Sequence, residues 1–218
     1  MIKIFLFEHD KLNTFPEADI KNAFGFGKAE TERLSSIKNE KRFLESACAL
    51  AALGQLLDKC YDGARDNILR SDSGKPYFEN APLSLSLSHS GNVSVAAVCD
   101  DKECDIGIDI EIISPRKNLL ELAKRFFSQE EMSEFTDNNS SERSFFNIWT
   151  KKEAYAKMTG EGLSSVINSN HNNVSVNLLC FEFYNNANAY SLSCATSQKI
   201  SNVDFYNNLS NIKIIKLL

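Results

Sequence analysis

Residues 104–112, "CDIGIDIEI", restrict the fold of this chain more than any other stretch. Isoleucine stands at 106, 108, 110 and 112, with Gly107, Asp109 and Glu111 between. Alternate residues of a strand point to opposite faces. The segment therefore reads as a strand with one apolar face for a core and a second face holding a glycine and two carboxylates. Just upstream, "LSLSLSHSGNVSVAAVC" (83–99) reads as two more strands. Ser90-Gly91-Asn92 makes one tight turn and the charged stretch 100–105 the next.

The flanking regions read as mixtures of helix and strand. Residues 2–7 suit a first strand, and 30–58 a helix with a break near Ser35–Ser36. Gly and Pro punctuate 70–82 as turns. Residues 119–135 are amphipathic, and Ser128 is placed to cap a new turn at "SQEE". A polar loop at 137–142 leads into a helix over 141–160, closed by Gly160. "VNLLCFEFYNN", "AYSLSCAT" and "NIKIIKLL" read as strands. The order of elements predicts an α+β protein of two similar halves, 1–105 and 106–218, each with antiparallel strands and helices.

Composition narrows the function class. A chain of 218 residues is long enough for a substantial core. Its formal charge of −5 argues against a nucleic-acid-binding surface spread over the whole protein. The six cysteines form no C-x-x-C pair and several sit in apolar runs, as small buried residues of a reducing cytoplasm would. Only His9, His89 and His171 accompany them, at spacings that fit no zinc pattern. The apolar run at the N-terminus is too short for a signal sequence, and no stretch reaches membrane-spanning length. The expectation is a soluble cytoplasmic protein.

Asp109 and Glu111 project side by side and repel, so they need a cation, basic neighbours or open solvent. A half-exposed strand with a solvated polar face is the simpler alternative. In "WTKKEAYAK", Trp149, Glu153 and Lys157 follow one helical stripe. The single Trp of the chain argues that this stripe packs inward or lines a cleft. Three carboxylates, Asp109, Glu111 and Glu153, suit Mg²⁺, with Mn²⁺ as the alternative, and Lys157 would serve a phosphate. Lys152 lies about 100° round the helix from Glu153 and takes a surface position by default. His89 ends an apolar stripe at a strand end, and Lys75 sits in the rigid turn "SGKPYF". Lys38, Lys41 and Arg42, with Lys28 and Arg33 upstream, form either a solvated face or a basic cluster.

These motifs together resemble the 4′-phosphopantetheinyl transferases of the surfactin-synthetase-activating type. The family strand stands here as Gly107-Ile108-Asp109-Ile110-Glu111, and its helix as Trp149-Thr150-Lys151-Lys152-Glu153-Ala154-Tyr155-Ala156-Lys157. "SLSHSG" (86–91), "GKPYF" (74–78), "AKRFFS" (123–128) and "GEGLS" (160–164) stand in the family's order, so the likeness covers roughly 38–165. The resemblance implies a pseudo-twofold monomer of two α+β halves, with coenzyme A in the cleft between them. On this basis 1–105 would bind coenzyme A, and 106–218 would supply the metal site and catalytic helix.

The implied reaction moves phosphopantetheine from coenzyme A to a serine of an apo acyl or peptidyl carrier protein and releases 3′,5′-ADP. The implied metal ligands are Asp109, Glu111 and Glu153. Lys157 is the implied phosphate contact, and Glu153 is expected to accept the serine proton. His89 and Lys75 match contacts to coenzyme A phosphates and the adenine end, Arg42 the 3′-phosphate contact, and Ser88 a phosphate holder. A patch of Lys117, Lys124, Arg125, Phe126 and Phe127 is the expected meeting place for an acidic carrier, although core packing is the simpler use of at least one of the two phenylalanines. The rival readings are a Mg²⁺-dependent phosphohydrolase acting on coenzyme A or nucleotides, and a non-catalytic coenzyme A-binding relative.

Overall fold

The computed structural model describes residues 1–8, 25–63, 65–166, 177–185, 188–199, 202–207 and 213–217. His9 and His171 lie outside these residues. The first part of the chain runs β1 (Ile2–Glu8), α1 (Lys28–Ser36), α2 (Glu40–Cys60), β2 (Ile68–Arg70), β3 (Pro76–Phe78), β4 (Ser84–Ser90), β5 (Val93–Cys99) and β6 (Ile106–Ile113). The second part runs α3 (Leu119–Phe126), α4 (Gln129–Asp137), α5 (Glu142–Thr159), α6 (Leu163–Val166), β7 (Asn177–Asn185), β8 (Asn188–Thr196), β9 (Val203–Asn207) and β10 (Lys213–Leu217). The protein is α+β.

One four-stranded sheet has the order β4-β5-β1-β9 and the other β10-β7-β8-β6, while β2 and β3 form a separate ribbon. Neighbours are antiparallel except β1 and β9, which run parallel, with Ile2 beside Val203 and Leu6 beside Asn207. Sequence reading gave 203–207 no strand. The segment "VDFYN" is short and mixed in polarity, and its partner lies at the other end of the chain.

The two sheets face each other. Ile2, Ile4, Leu6, Val93 and Val95 pack in one buried cluster with Ile106, Ile108, Ile110, Phe183 and Leu192. The other side of the first sheet, through Phe5, Phe7, Leu85, Ala96 and Val98, covers the apolar face of α2. β1 and β5 are therefore covered on both faces, which explains why "IKIFLFE" and "VSVAAVC" are almost continuously apolar. Burying each such Ile, Leu, Val or Phe stabilises the fold by about 1.5–3 kcal/mol. On the far side of the second sheet lies α5, with Ala154 and Met158 against Ala195.

The helix boundaries have local causes. Asn39 caps α2 by accepting from the Arg42 N–H, so the helical stretch read at 30–58 divides at 37–39. Ser128 and Glu131 form a reciprocal capping box at the start of α4. Gly160 ends α5 in a left-handed conformation (φ 73°) that favours glycine. Phe127, Phe135, Phe145 and Phe146 fill a further core among α3, α4 and α5, and Trp149 and Phe126 pack against it.

Candidate active site

The two sheets meet along β4 and β6, and side chains rather than a backbone ladder join them there. Ser86 Oγ accepts from the Ile108 N–H (3.0 Å), and Ser90 Oγ from the Ile112 N–H (3.0 Å). A strand edge with buried, unpaired N–H groups would be costly, and these hydroxyls supply the missing acceptors. The same row of serines reaches the carboxylates. Ser88 Oγ donates to Asp109 Oδ1 (2.8 Å), and Ser90 Oγ donates to Glu111 Oε2 (2.8 Å). Sequence reading singled out Ser88 only. The signal for Ser86 and Ser90 was the serine at every second position of "SLSLSHS".

Gly107 explains how a helix comes to lie over this strand. A Cβ there would stand 2.0 Å from the Ala154 carbonyl oxygen and 2.4 Å from the Met158 nitrogen. No side chain fits, so the backbone of α5 rests directly on β6. That approach brings Lys157 Nζ to 2.8 Å from both Asp109 Oδ1 and Ser88 Oγ. Asp109 is buried, which removes the solvated-face alternative. Its second oxygen, Oδ2, is buried with no hydrogen-bond partner among the described residues.

A cavity of about 370 Å³ brings together Asp109, Glu111, Glu153, Lys157, Ser88 and His89. Burial, then the charge of Asp109, pushes the Glu111 carboxyl above its usual range, against the pull of Ser90, Arg116 and Lys157. Burial likewise raises Glu153, with Asp109 and Glu111 adding to the rise and Lys157 opposing it. The three carboxylates thus sense one another across the cavity. Among the described residues, no group of three or more His, Cys, Asp or Glu is close enough to enclose a metal as it stands.

The rim is basic. Arg33 and Arg70 line the same cavity, and both are held by Glu30, which is 2% exposed. Arg33 approaches Glu30 Oε1 at 2.7 Å and Arg70 at 2.9 Å. Burial alone would raise Glu30, but the hydrogen bonds and charges of Arg70 and Arg33 outweigh it and hold the carboxyl low. Arg70 was not read from the sequence, because its place depends on a buried partner forty positions earlier in the chain. Beyond Arg33 and His89 the groove continues to Lys38 and Arg42. Its other end, past Glu153 and Lys157, is walled by Lys75, Gly160 and Leu163. Lys75 Nζ donates to Asp105 (2.8 Å) and to the Met158 carbonyl at the end of α5. His89 is held below its usual pKa by partial burial and by Lys157 and Lys41, while Glu45 and Asp109 pull the other way.

Other expectations meet different outcomes. Lys28 stands 89% exposed beside Glu32 and points to solvent. Lys152 corrects the surface position given to it, because it is 0% exposed and paired with Glu131. Nothing in the local sequence around Lys152 signalled that α4, some twenty residues earlier, would cover it. Phe127 is buried in the aromatic core, Phe126 is partly buried, and Lys117, Lys124 and Arg125 are exposed. None of the six cysteines is in a disulfide, and of them only Cys60 is partly exposed. Burial raises the Cys104 thiol to about 11, so it stays protonated and unreactive. No helix among the described residues is long and apolar enough to cross a membrane.

Comparison with known proteins bears on this geometry. Residues 105–204 match the model of the 4′-phosphopantetheinyl transferase superfamily. The chain is 31% identical over 145 residues to a putative 4′-phosphopantetheinyl transferase of Synechocystis, a match covering 64% of this chain and 58% of the relative. It is 38% identical over 99 residues to the 4′-phosphopantetheinyl transferase HetI of Nostoc, covering 43% and 41%. To the 4′-phosphopantetheinyl transferase of Bacillus subtilis it is 39% identical over 99 residues, covering 44% and 42%. The chain therefore spans about half the length of the curated relatives it matches. The resemblance drawn from the motifs holds.

Proposed function

We propose, on the premise that residues 105–204 carry the 4′-phosphopantetheinyl transferase superfamily pattern, that this protein transfers phosphopantetheine from coenzyme A to a serine of an apo acyl or peptidyl carrier protein. The observation that carries this reading is the single groove in which Asp109, Glu111, Glu153 and Lys157 meet beneath Arg33, Arg70 and His89. A carboxylate floor under a basic rim suits a pyrophosphate accompanied by a cation, and it suits little else so well.

The oxygen donors suit Mg²⁺ by their chemistry, with Mn²⁺ as the alternative, and the three carboxylates would have to draw closer to share one ion. Asp109 Oδ2 is buried without a partner, and two neighbouring carboxylates are raised by burial and mutual repulsion. Asp109, Glu111 and Glu153 would hold the ion, which when bound offsets negative charge on the pyrophosphate. In the reaction the serine oxygen bonds to the phosphorus that bears the pantetheine arm. The bond from that phosphorus to the bridging oxygen breaks, and 3′,5′-ADP leaves. Glu153 takes the serine proton, because a carboxylate lining the cavity beside Asp109 and Lys157 is within reach of a serine seated there. Lys157 stabilises the charge on the leaving phosphate. Such chemistry rests mainly on positioning and electrostatics.

Coenzyme A would lie along the groove between two pseudo-twofold halves, 1–105 and 106–218, with Ser88 and His89 near its phosphates and Arg42 at its 3′-phosphate. Lys75, held by Asp105 and the Met158 carbonyl, would offer a phosphate its remaining N–H. The proposed working form is a monomer. A reducing cytoplasm would suit its cysteines, none of which is in a disulfide. Intact-mass spectrometry of an apo carrier, incubated with the protein, coenzyme A and Mg²⁺ and with an EDTA control, tests the proposal. A phosphopantetheine mass gain that needs protein and metal is expected. Cleavage of coenzyme A without any gain on fatty-acid or peptidyl carriers would overturn transfer in favour of hydrolysis.

A further inference from the structure

α5 carries a second lysine that the proposed chemistry leaves unused. Lys152 Nζ donates to both Glu131 oxygens, at 3.0 and 2.8 Å, and the side chain is 0% exposed. Glu131 is fixed in turn. Its Oε2 accepts from the Ser128 N–H (2.7 Å), and its own N–H is held by Ser128 Oγ. An ammonium with no access to water persists only against a well-placed counter-charge, so the pair keeps one geometry.

The pair acts on the side of α5 away from β6. On the β6 side the helix backbone rests on Gly107, where a Cβ would stand 2.0 Å from the Ala154 carbonyl oxygen. The helix has no room to roll toward the strand, and rolling away opens a buried ion pair. Lys152 and Glu153 are neighbours about 100° apart around the helix, so any rotation moves both. At a side-chain radius of roughly 6 Å, a 10° roll displaces the Glu153 carboxylate by roughly 1 Å. Displacements of that size are enough to cost about a hundredfold in rate.

We propose that the Lys152–Glu131 pair is a positioning device that sets the rotation of α5 and so aims Glu153 and Lys157 at Asp109. An apolar pair would fill the same volume, but it is non-directional and would not fix the roll. This inference rests on the transferase reading for its kinetic consequence, though not for its geometric one.

The test uses the whole chain labelled with 5-fluorotryptophan. Trp149, the single Trp, is one turn before Glu153 and stacks on Phe145 at 5.9 Å with Phe126 edge-on at 5.3 Å. Its fluorine resonance therefore reports the roll of α5. The double variant Lys152→Met/Glu131→Met removes both charges together, a replacement that buried ion pairs often tolerate. It is expected to melt within about 5 °C of the parent. Its kcat should fall at least about tenfold, its KM for coenzyme A should stay within about twofold, and its fluorine resonance should shift or broaden. Lys152→Met/Glu131→Gln also removes both charges but keeps the capping box, and it supplies the same readings if the first double variant does not fold, with a kcat loss and a shift in the same direction. A parent-like kcat or an unmoved resonance in the folded variant would leave the pair a stability element only and overturn the inference. If the parent protein transfers nothing, the proposed function falls, and the fluorine resonance alone decides the positioning role.

Discussion

Glu30 on the rim and the pair Glu111 and Glu153 on the floor are all carboxylates withdrawn from water in one groove, yet they behave in opposite ways. Glu30 lies between two guanidinium groups and is held low. Glu111 and Glu153 lie among like charges and are pushed up. The rim is already neutralised within the protein, whereas the floor is not. Stable folding accounts for the rim. The floor costs stability in the free protein, and an assembly tolerates such a cost where a ligand of opposite charge is to bind.

The heaviest blow to this arrangement is Gly107→Ala, which forces β6 and α5 apart and removes the floor altogether. A Tm lowered by about 10 °C or more is expected in calorimetry, with loss of transfer. Retention of the parental Tm would mean that α5 does not need its close seat. Asp109→Ala comes next. It should leave the fold intact and reduce turnover by at least about a hundredfold in the carrier mass assay, and parent-like turnover would remove Asp109 from the floor's chemistry.

The pH dependence of stability sharpens the comparison directly. A carboxylate raised in the fold binds more protons than it does unfolded, so its penalty is full at neutral pH and fades as pH falls toward the ordinary range near 4.5. Glu153→Gln in metal-free protein should therefore raise Tm by about 2–4 °C at pH 7, with the gain shrinking on acidification, even as transfer is lost. Glu30 has the opposite sign. Its contribution is present above about pH 4.5 and is lost as pH falls through its lowered folded value, so Glu30→Gln should lower Tm at neutral pH. Equal signs in the two melting series would end the distinction. The mildest effect belongs to the outer rim. Arg42→Ala should raise the coenzyme A KM by about three- to tenfold with kcat unchanged, and a fall in kcat alone would place Arg42 elsewhere in the mechanism.

The strands and helices with strong periodicity were legible in the sequence, as were the break in the first helical stretch, the Ser128 cap and the Gly160 stop. Asp109, Glu111, Glu153 and Lys157 were legible because strand and helix spacing puts each pair on one face. What was not legible depended on partners distant in the chain. Lys152 has the same local pattern as any surface lysine until α4 is laid over it. Arg70 is an unremarkable strand residue until Glu30 is buried beside it. The serines at 86 and 90 acquire their role only when a second sheet presents its edge.

β9 carries a further consequence. It pairs with β1, so the sheet that contains residues 2–8 is finished by residues 203–207. During synthesis β1 waits until residues 203–207 have been made before that edge is closed. A nascent chain halted after β8 would hold a sheet with one open side, available to chaperones or to other nascent chains. Pairing between such distant segments also makes late folding slow. Synthesis and maturation are thus coupled at β9, whose emergence decides when the sheet begun by β1 is complete.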